Sequence, residues 1–363
     1  MAGPSNTHNL QAMLRFLSKA GNDPRFNADT IMSEIAQVYD DSYGNGGLSW
    51  LDRMIYRYVL VPATRNGLRE QERLFAWMNR EGKPDWGPGR DDPMNLTKYF
   101  MTQLPEDTTV SQTDFPSVWN LGVRSGKRNG NQLLLNWSGD TPAVRSVIID
   151  SALGLGAPPE HWALERMAEL DTYLSQMKPP PWPKEFPAPK PELVAAGKPI
   201  YDAQCARCHE PGAEYTNLVI KIEEVGTDIE RMKTWNKQAA EEANRRVQQM
   251  GINRPPMVEL DPYGYVSPPL DGLWLRAPYL HNGSVPNLRE LLEPVEKRSK
   301  IFYFGYDVYD PVNVGFVTSG PTAERVGFKH DTSLRGESNI GHLYGTDLPP
   351  EQKEALLEYM KTL

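Results

Sequence analysis

Apolar residues in the N-terminal half of the chain recur at the spacing of helices. Leu10, Leu14 and Leu17 are three or four positions apart, which places them on one face of a helix. The same spacing predicts further helices within residues 31–38, 51–59, 68–79 and 158–176. Residues 114–140 hold two glycine-rich turns between short mixed runs, which predicts loops with a small hairpin. Alternation with a period of two is scarce, so the pattern predicts a mainly α protein.

A proline-rich segment interrupts these patterns between residues 179 and 191. Seven of its thirteen residues are proline, and each proline fixes φ and removes a backbone donor. The segment is therefore predicted to be an extended, semi-rigid linker. It divides the chain into an N-terminal domain, residues 1–178, and a C-terminal domain, residues 192–363.

Two further helices are predicted in the C-terminal domain. The first covers residues 191–204, begins at a proline and contains Pro199, which is expected to kink or break it. The second covers residues 349–363, with two prolines in its first turn and acidic residues that suit the helix dipole. Its buried stripe is predicted to consist of Ala355, Leu356, Tyr359 and Leu363.

Composition and charge exclude several classes of protein. The 363 residues carry 39 lysines and arginines against 47 aspartates and glutamates, a net charge of −8, where a nucleic-acid-binding domain would have a basic excess. The sequence has no apolar run of about 18 residues, so no transmembrane segment is predicted. Residues 1–10 are polar and contain no hydrophobic stretch of a signal peptide. Only two cysteines occur, which excludes a disulfide framework and sites with four cysteine ligands.

Both cysteines belong to one motif, Cys205-Ala-Arg-Cys208-His209. Two cysteines separated by two residues and followed at once by histidine are the attachment pattern of c-type haem. The two thiols add to the vinyl groups of the porphyrin, and the adjacent imidazole becomes the proximal iron ligand. The motif therefore predicts covalent haem on Cys205 and Cys208, with His209 bound to the iron.

Other chemistries use the same cysteine spacing. A thioredoxin-like pair would follow a strand and open a helix of a βαβ unit, which the pattern here does not indicate. A zinc site would need two more ligands at short spacing, and the nearest other histidine is distant in the sequence. Chance would produce the complete motif with a probability of roughly 10⁻⁴. Haem attachment is therefore the favoured interpretation.

The second axial ligand of the iron must come from another part of the chain. His342 is favoured, because it lies in a loop seven residues before Pro349, and small cytochrome folds take their distal ligand from the loop before the last helix. A loop histidine that only hydrogen-bonds its neighbours is the plain alternative. Two imidazoles would close the iron to substrate and suit the transfer of single electrons. The other candidate ligands are His281, His330, Met250 and Met257.

Several segments outside the attachment motif have familiar sequences. Residues 275–288 (LRAPYLHNGSVPNL) resemble a signature of bacterial dihaem cytochromes of the cytochrome c peroxidase superfamily. Residues 310–316 (DPVNVGF) and 339–345 (NIGHLYG) resemble more closely the branch that includes the bacterial rubber oxygenases. Segments similar to the N-terminal domains of these proteins lie at residues 86–95, 114–120 and 136–140. The resemblance implies two helical cytochrome c-like domains, of which the C-terminal one carries covalent haem.

The resemblance also implies roles for individual residues. Trp137 would carry electrons between two haems, with a buried structural tryptophan as the alternative. Arg276 would pair with a haem propionate, with an exposed arginine as the alternative. His281 would contact a propionate or shape its own loop. Backbone carbonyls around Arg276 and Pro278 resemble the position at which the peroxidases hold calcium.

One departure from the family bears on function. The relatives carry two Cys-x-x-Cys-His motifs, and the first binds the haem at which peroxide or oxygen reacts, whereas this sequence has one motif. We therefore expect a truncated chain without its signal peptide and first haem site, from a periplasmic or secreted protein; a true single-haem protein is the alternative. Its function would be electron transfer with a redox partner or second haem domain. The other hypotheses are a peroxidase or dioxygenase whose catalytic haem lies upstream, and a module whose haem is purely structural.

Overall fold

The computed structural model describes residues 8–43, 48–102, 104–157, 161–260 and 263–363. Contacts divide the chain into two units: Asn9–Asp85 forms the smaller one, and the larger one holds His8 and Trp86–Leu363. Helices dominate the secondary structure of both units, which confirms the predicted mainly α class. Among the described residues, no helix combines the length and the apolarity needed to cross a membrane.

The helices of the smaller unit follow the apolar spacing of the sequence. They are α1 (Leu10–Ala20), α2 (Ala28–Tyr43), α3 (Trp50–Ile55) and α4 (Val61–Leu74), with a π-helical turn at Tyr56–Leu60. Asn9 begins α1, since its side chain accepts a hydrogen bond from the backbone N–H of Ala12 at 2.8 Å. The helix predicted at residues 51–59 is present, but Leu51 is 59% exposed and Tyr58 is 66% exposed. Helical spacing therefore predicted this element without predicting burial of its apolar side.

The larger unit surrounds the attachment motif with helices and short antiparallel strand pairs. Its helices are α5 (Pro93–Met101), α6 (Val144–Gly154), α7 (His161–Gln176), α8 (Pro191–Gln204), α9 (Ala206–His209), α10 (Ile222–Val225), α11 (Glu230–Thr234), α12 (Lys237–Gln249), α13 (Leu288–Leu291), α14 (Pro321–Val326) and α15 (Pro350–Met360). The paired strands are β1 (Arg90–Asp91) with β2 (Thr113–Asp114), β3 (Lys127–Arg128) with β4 (Asn131–Gln132), β5 (Val219–Lys221) with β6 (Gly264–Val266), β7 (Ile301–Phe304) with β10 (Phe328–Asp331), and β8 (Tyr309–Asp310) with β9 (Gly315–Phe316). The pair β3–β4 is the predicted hairpin, turned by Asn129 and Gly130 with φ of 51° and 81°.

The two helices predicted in the C-terminal region are α8 and α15, and they touch at Gly197. A Cβ atom at Gly197 would lie 2.0 Å from the carbonyl oxygen of Ala355, so the two backbones are in direct contact. The helix α8 continues through Pro199, so the predicted break there is wrong, whereas the predicted kink stays a prediction. Proline removes a single backbone donor, and one missing hydrogen bond does not end a helix that is packed along its length.

The buried side of α15 differs in part from the predicted stripe. Ala355 and Leu356 are buried as predicted, whereas Tyr359 and Leu363 are only half-buried. Leu357 and Met360 take their place in the core. The buried side of α15 is therefore rotated slightly, around the helix axis, from the stripe that the apolar spacing predicted.

The proline-rich segment lies within the larger unit. Its Phe186 stacks on Tyr309, with ring centroids 5.2 Å apart and planes 8° from parallel. Residues on either side of the segment also share hydrogen bonds, for example from the amide of Asp114 to the carbonyl oxygen of His281 at 2.8 Å. Contacts therefore do not separate residues 86–178 from residues 192–363. The predicted division into two domains joined by residues 179–191 stays a prediction.

His330 is buried between aromatic rings in the sheet of β7 and β10. Its ring centroid lies 4.7 Å from that of Phe302 and 4.9 Å from that of Phe304. Its Nδ1 is 3.5 Å from Glu337, which also pairs with the buried Arg90. Burial, together with the nearby charge of Arg90, lowers the pKa of His330 well below its ordinary value. Burial has the opposite effect on Glu337 and raises its pKa.

The buried, neutral His330 is expected to make the protein less stable in mild acid. The unfolded chain binds a proton on this histidine near pH 6.5 and the folded protein does not. The free energy of unfolding therefore falls below that pH, by up to about 1.4 kcal/mol per pH unit. We expect His330→Phe to reduce this slope in chemical denaturation between pH 6.5 and pH 5. Phe302→Leu removes packing but no proton and should keep the slope, and a slope unaffected by His330→Phe would contradict the prediction.

Candidate functional site

The attachment motif lies in the short helix that directly follows α8. The amide of Cys205 donates to the carbonyl oxygen of Tyr201 at 2.8 Å, and the amide of His209 donates to that of Cys205 at 3.0 Å. Both cysteines are free and half-buried, and both line one cleft. Burial raises the pKa of Cys205 to about 12 and also raises the pKa of Cys208. The thiols are therefore neutral at pH 7, which disfavours a thioredoxin-like pair, since the reactive cysteine of such a pair has a lowered pKa.

His209 lines the same cleft with one ring nitrogen already engaged. Its Nδ1 lies 2.7 Å from the carbonyl oxygen of Pro268, and because a carbonyl can only accept, Nδ1 carries the proton and donates it. Burial lowers the pKa of His209 to about 4, so the ring is neutral at pH 7. The lone pair of Nε2 is therefore available to a metal, and the backbone carbonyl behind the ring is a usual partner of a metal-bound histidine.

His342 lies across the cleft from His209. The two ring centroids are 6.3 Å apart, and the ring planes are inclined by 49°. Burial, with smaller effects from His209 and Arg298, lowers the pKa of His342 to about 3. Its Nδ1 is buried and has no hydrogen-bond partner among the described residues. The fold therefore brings two neutral imidazoles together from positions that are distant in the sequence.

The cleft that contains both histidines is mainly apolar. It holds about 1220 Å³ of space between protein atoms, part of which is open to solvent. Apolar walls, an edge with two neutral thiols and two imidazoles together fit a covalently attached haem. The apolar side chains of its walls include Ile220, Val225, Val266, Leu270, Leu273, Leu280, Leu288, Leu291 and Leu292.

Trp137 and Arg276 line the cleft next to each other. The indole N–H of Trp137 donates to the carbonyl oxygen of Asp114 at 2.7 Å, and the guanidinium of Arg276 lies 5.8 Å from the centre of the indole ring. Arg276 is half-buried, so the alternative of an exposed arginine is wrong. Burial lowers the pKa of Arg276 and raises the pKa of Asp114 well above its ordinary value.

His281 is held at the wall of the cleft by Tyr265. Their rings stack with centroids 3.9 Å apart, and Nε2 of His281 lies 2.9 Å from the hydroxyl of Tyr265. The hydroxyl donates its proton to the carbonyl oxygen of Asp228 at 2.7 Å, so it accepts from the Nε2–H of His281. Burial keeps the pKa of His281 well below its ordinary value. His281 therefore shapes the wall of the cleft, and its role towards a propionate stays a prediction.

The remaining candidate ligands lie elsewhere. Met250 and Met257 pack in a core beside α12, and His330 is buried in the sheet of β7 and β10. None of these three residues lines the cleft. Within the described ranges, no group of three or more His, Cys, Asp and Glu side chains could hold a metal ion. The predicted calcium ligands near Arg276 and Pro278 are backbone carbonyls, so calcium binding stays a prediction.

Sequence reasoning missed residues that complete the cleft. Asp114, Tyr265 and Arg298 contact Trp137, His281 and the loop of His342 respectively. Aromatic and β-branched residues at positions 263–266 (YGYV) are typical of the strand that holds Tyr265, and they do not signal the contact with His281. No local pattern marks Asp114 or Arg298, because their partners are distant in the sequence.

Comparison with known proteins relates this cleft to a family of cytochromes. Residues 264–303 match the family described as RoxA-like, cytochrome c-like. This segment includes Tyr265, Arg276, His281 and Arg298 and is a small part of the chain. The match and the attachment motif together support a c-type cytochrome of the RoxA-like branch with covalently bound haem.

Two uncharacterized proteins of Sinorhizobium fredii (strain NBRC 101917 / NGR234) are similar to the chain. Protein y4iJ is 30% identical over 257 residues, which are 52% of this chain and 41% of that protein. Protein y4iM is 27% identical over 329 residues, which are 78% of this chain and 72% of that protein. The chain therefore spans about two fifths of y4iJ and most of y4iM.

Proposed function

We propose that the chain carries one covalent haem on Cys205 and Cys208 and transfers single electrons, with His209 and His342 as the two iron ligands. The observation that carries this proposal is the pair of neutral imidazoles facing each other in an apolar cleft that both thiols line. A haem bound there would supply a metal centre that gains and loses one electron. His209 and His342 would supply two neutral ligands held in a fixed orientation. The apolar side chains of the cleft would keep water away from the metal.

The distance between the imidazoles supports a shared metal. An imidazole nitrogen binds a first-row metal at roughly 2 Å, and the ring centre lies roughly 1.2 Å further away. Two imidazoles on opposite sides of one metal therefore have centres roughly 6.4 Å apart. The observed separation of 6.3 Å between His209 and His342 agrees with this value. If His209 and His342 both held the iron, no position on the metal would remain for a substrate, and the site would favour electron transfer.

Arg276, His281 and Trp137 have proposed roles around the haem. Within the part of the chain that the structure describes, Arg276 makes one long hydrogen bond, to the carbonyl oxygen of Pro269 at 3.4 Å, which leaves its remaining donors for a propionate carboxylate. His281, fixed by Tyr265, would support the same edge of the haem. Trp137 lies in the cleft wall beside Arg276 and would lead electrons to a second redox centre.

A dihaem enzyme is the second candidate function. The position of Trp137 in the wall of the cleft favours it. In such a protein this cleft would exchange electrons with a second haem at which peroxide or dioxygen reacts, and calcium would bind near Pro278. A redox partner protein and a periplasmic or secreted location belong to the same proposal, since cytochrome c domains usually lie outside the cytoplasm.

Replacing His342 by methionine is expected to raise the reduction potential by roughly 100 mV or more, because a thioether ligand favours reduced iron relative to imidazole. The protein would be matured in an exporting host, its haem counted as pyridine haemochrome and its potential measured by optical titration. His330→Met, at a buried histidine outside the cleft, is the matched control and should leave the potential unchanged. A reduction potential that His342→Met leaves unchanged would exclude His342 as a ligand. A count of two haems per polypeptide would favour the dihaem enzyme.

A further inference from the structure

Arg298 is buried beside the loop that carries His342. The residue is 2% exposed and follows the 3₁₀ turn Val295–Lys297. Its guanidinium donates to backbone carbonyl oxygens in two neighbouring segments, and no described side chain accepts from it. These carbonyls belong to Leu291 (3.3 Å), Glu293 (3.0 Å), Asn339 (2.6 Å), Gly341 (2.9 Å) and His342 (3.3 Å).

The five hydrogen bonds join the loop of His342 to the wall of the cleft. Three of them end on the loop at residues 339–342, and two end on residues 291–293, the C-terminal end of α13 and the turn that follows it. That segment contains Leu291 and Leu292, which line the cleft. Arg298 therefore ties the loop to a fixed part of the structure.

The loop has a backbone conformation that needs such support. His342 has a φ of 48°, in the left-handed region that side chains disfavour. A Cβ atom at Gly341 would lie 2.3 Å from the carbonyl carbon of Gly226, so the loop passes directly against the backbone after α10. The amide of His342 donates to the carbonyl oxygen of Val225 at 2.7 Å. Hydrogen bonds from Arg298 hold the carbonyl side of the same loop.

The charge of Arg298 has no ion-pair partner among the described residues. Burial lowers its pKa, and Glu290 and Glu296 act on it only through space. Arginine nevertheless stays protonated in proteins. A positive charge therefore lies behind His342 in a dry environment, where it acts more strongly than it would in water.

We propose that Arg298 is the positioning residue of His342 and that its charge raises the reduction potential of the haem. This inference rests on the proposed function. The oxidised centre carries one more positive charge than the reduced centre, so a fixed positive charge nearby favours reduction. The hydrogen bonds of Arg298 hold His342 where its imidazole faces that of His209.

Two substitutions separate the hydrogen bonds of Arg298 from its charge. Arg298→Lys keeps the charge but cannot reproduce five hydrogen bonds, whereas Arg298→Met removes both. We expect both variants to bind carbon monoxide in the reduced state at least tenfold faster than the unsubstituted protein, since a loosened His342 leaves the iron more often. The reduction potential should fall in Arg298→Met and stay close to the original value in Arg298→Lys.

Arg289→Met is the matched control. Arg289 lies in α13 and donates to Asn313, Val312 and Glu354, none of which belongs to the loop of His342, so this change should alter neither carbon monoxide binding nor the potential. If Arg298→Met does not fold, the rate at which reduced Arg298→Lys binds carbon monoxide tests the inference. Unchanged binding and potential in a haem-loaded Arg298 variant would overturn the inference. His342→Met, measured beside the Arg298 variants, distinguishes the two proposals. If it raises the reduction potential while the Arg298 variants change nothing, the proposed function stands and only the role of Arg298 is refuted. If it also leaves the potential unchanged, both proposals are refuted.

Discussion

The double substitution Cys205→Ala and Cys208→Ala is expected to abolish covalent haem attachment. These residues are the two cysteines of the sequence, and thioether bonds to the vinyl groups of haem need their thiols. The haem that survives acid–acetone extraction should fall to background when it is measured as pyridine haemochrome. Mass spectrometry of the peptide that contains residue 205 should show no added porphyrin mass.

The matched control for this change lies inside the same motif. Arg207 is exposed and donates to Glu214 and Tyr215 on the surface, so Arg207→Ala should keep full haem loading. Each single cysteine variant should keep one covalent bond and part of the haem. Porphyrin mass on the double variant would show that another residue holds the cofactor and would refute the assignment of the motif.

The attachment site could be predicted from the sequence because its chemistry is local. Cys205, Cys208 and His209 are bound together by one turn of backbone, and their spacing alone defines the pattern. The prediction that His342 lies opposite His209 used a second local feature, the position of a loop before the last helix. The structure brings the two rings to 6.3 Å. Ligation of iron by His342 stays a prediction until its substitution is tested.

Predictions from spacing were less successful where burial or long-range packing decides the outcome. Leu51 and Tyr58 have helical spacing and are nevertheless exposed, because spacing describes one helix and not the surface that covers it. Pro199 does not end α8, because the helix is packed against α15. Local patterns contain no information about those neighbours.

The supporting residues of the cleft could not be predicted because their contacts span the chain. Asp114 accepts from Trp137 through its backbone, and Tyr265 orients His281 through one hydroxyl. Arg298 reaches carbonyl oxygens more than forty positions later in the chain. Backbone carbonyls occur at every residue, so nothing in the sequence marks them as partners of a particular arginine.

The substitution Gly197→Ala is expected to destabilise the protein by about 3 kcal/mol or more, because it adds volume where two helices already touch. The new Cβ atom would lie 2.0 Å from the carbonyl oxygen of Ala355 and 2.8 Å from Cβ of Tyr359. Both contacts are shorter than van der Waals distances, and the nearer one is to backbone that cannot rotate away. The helices α8 and α15 must therefore move apart.

That movement should also reduce haem loading. The helix α8 leads directly into Cys205, and Met360 of α15 lines the cleft, so separating the two helices displaces both sides of the haem site. Chemical denaturation and pyridine haemochrome measurement of Gly197→Ala should show a lower unfolding midpoint and less haem per chain. Gly67→Ala is the matched control, since a Cβ atom there meets nothing within 4 Å. It should stabilise α4 by about 0.5–1 kcal/mol. Equal midpoints for Gly197→Ala and the unsubstituted protein would show that α8 and α15 are not in direct backbone contact.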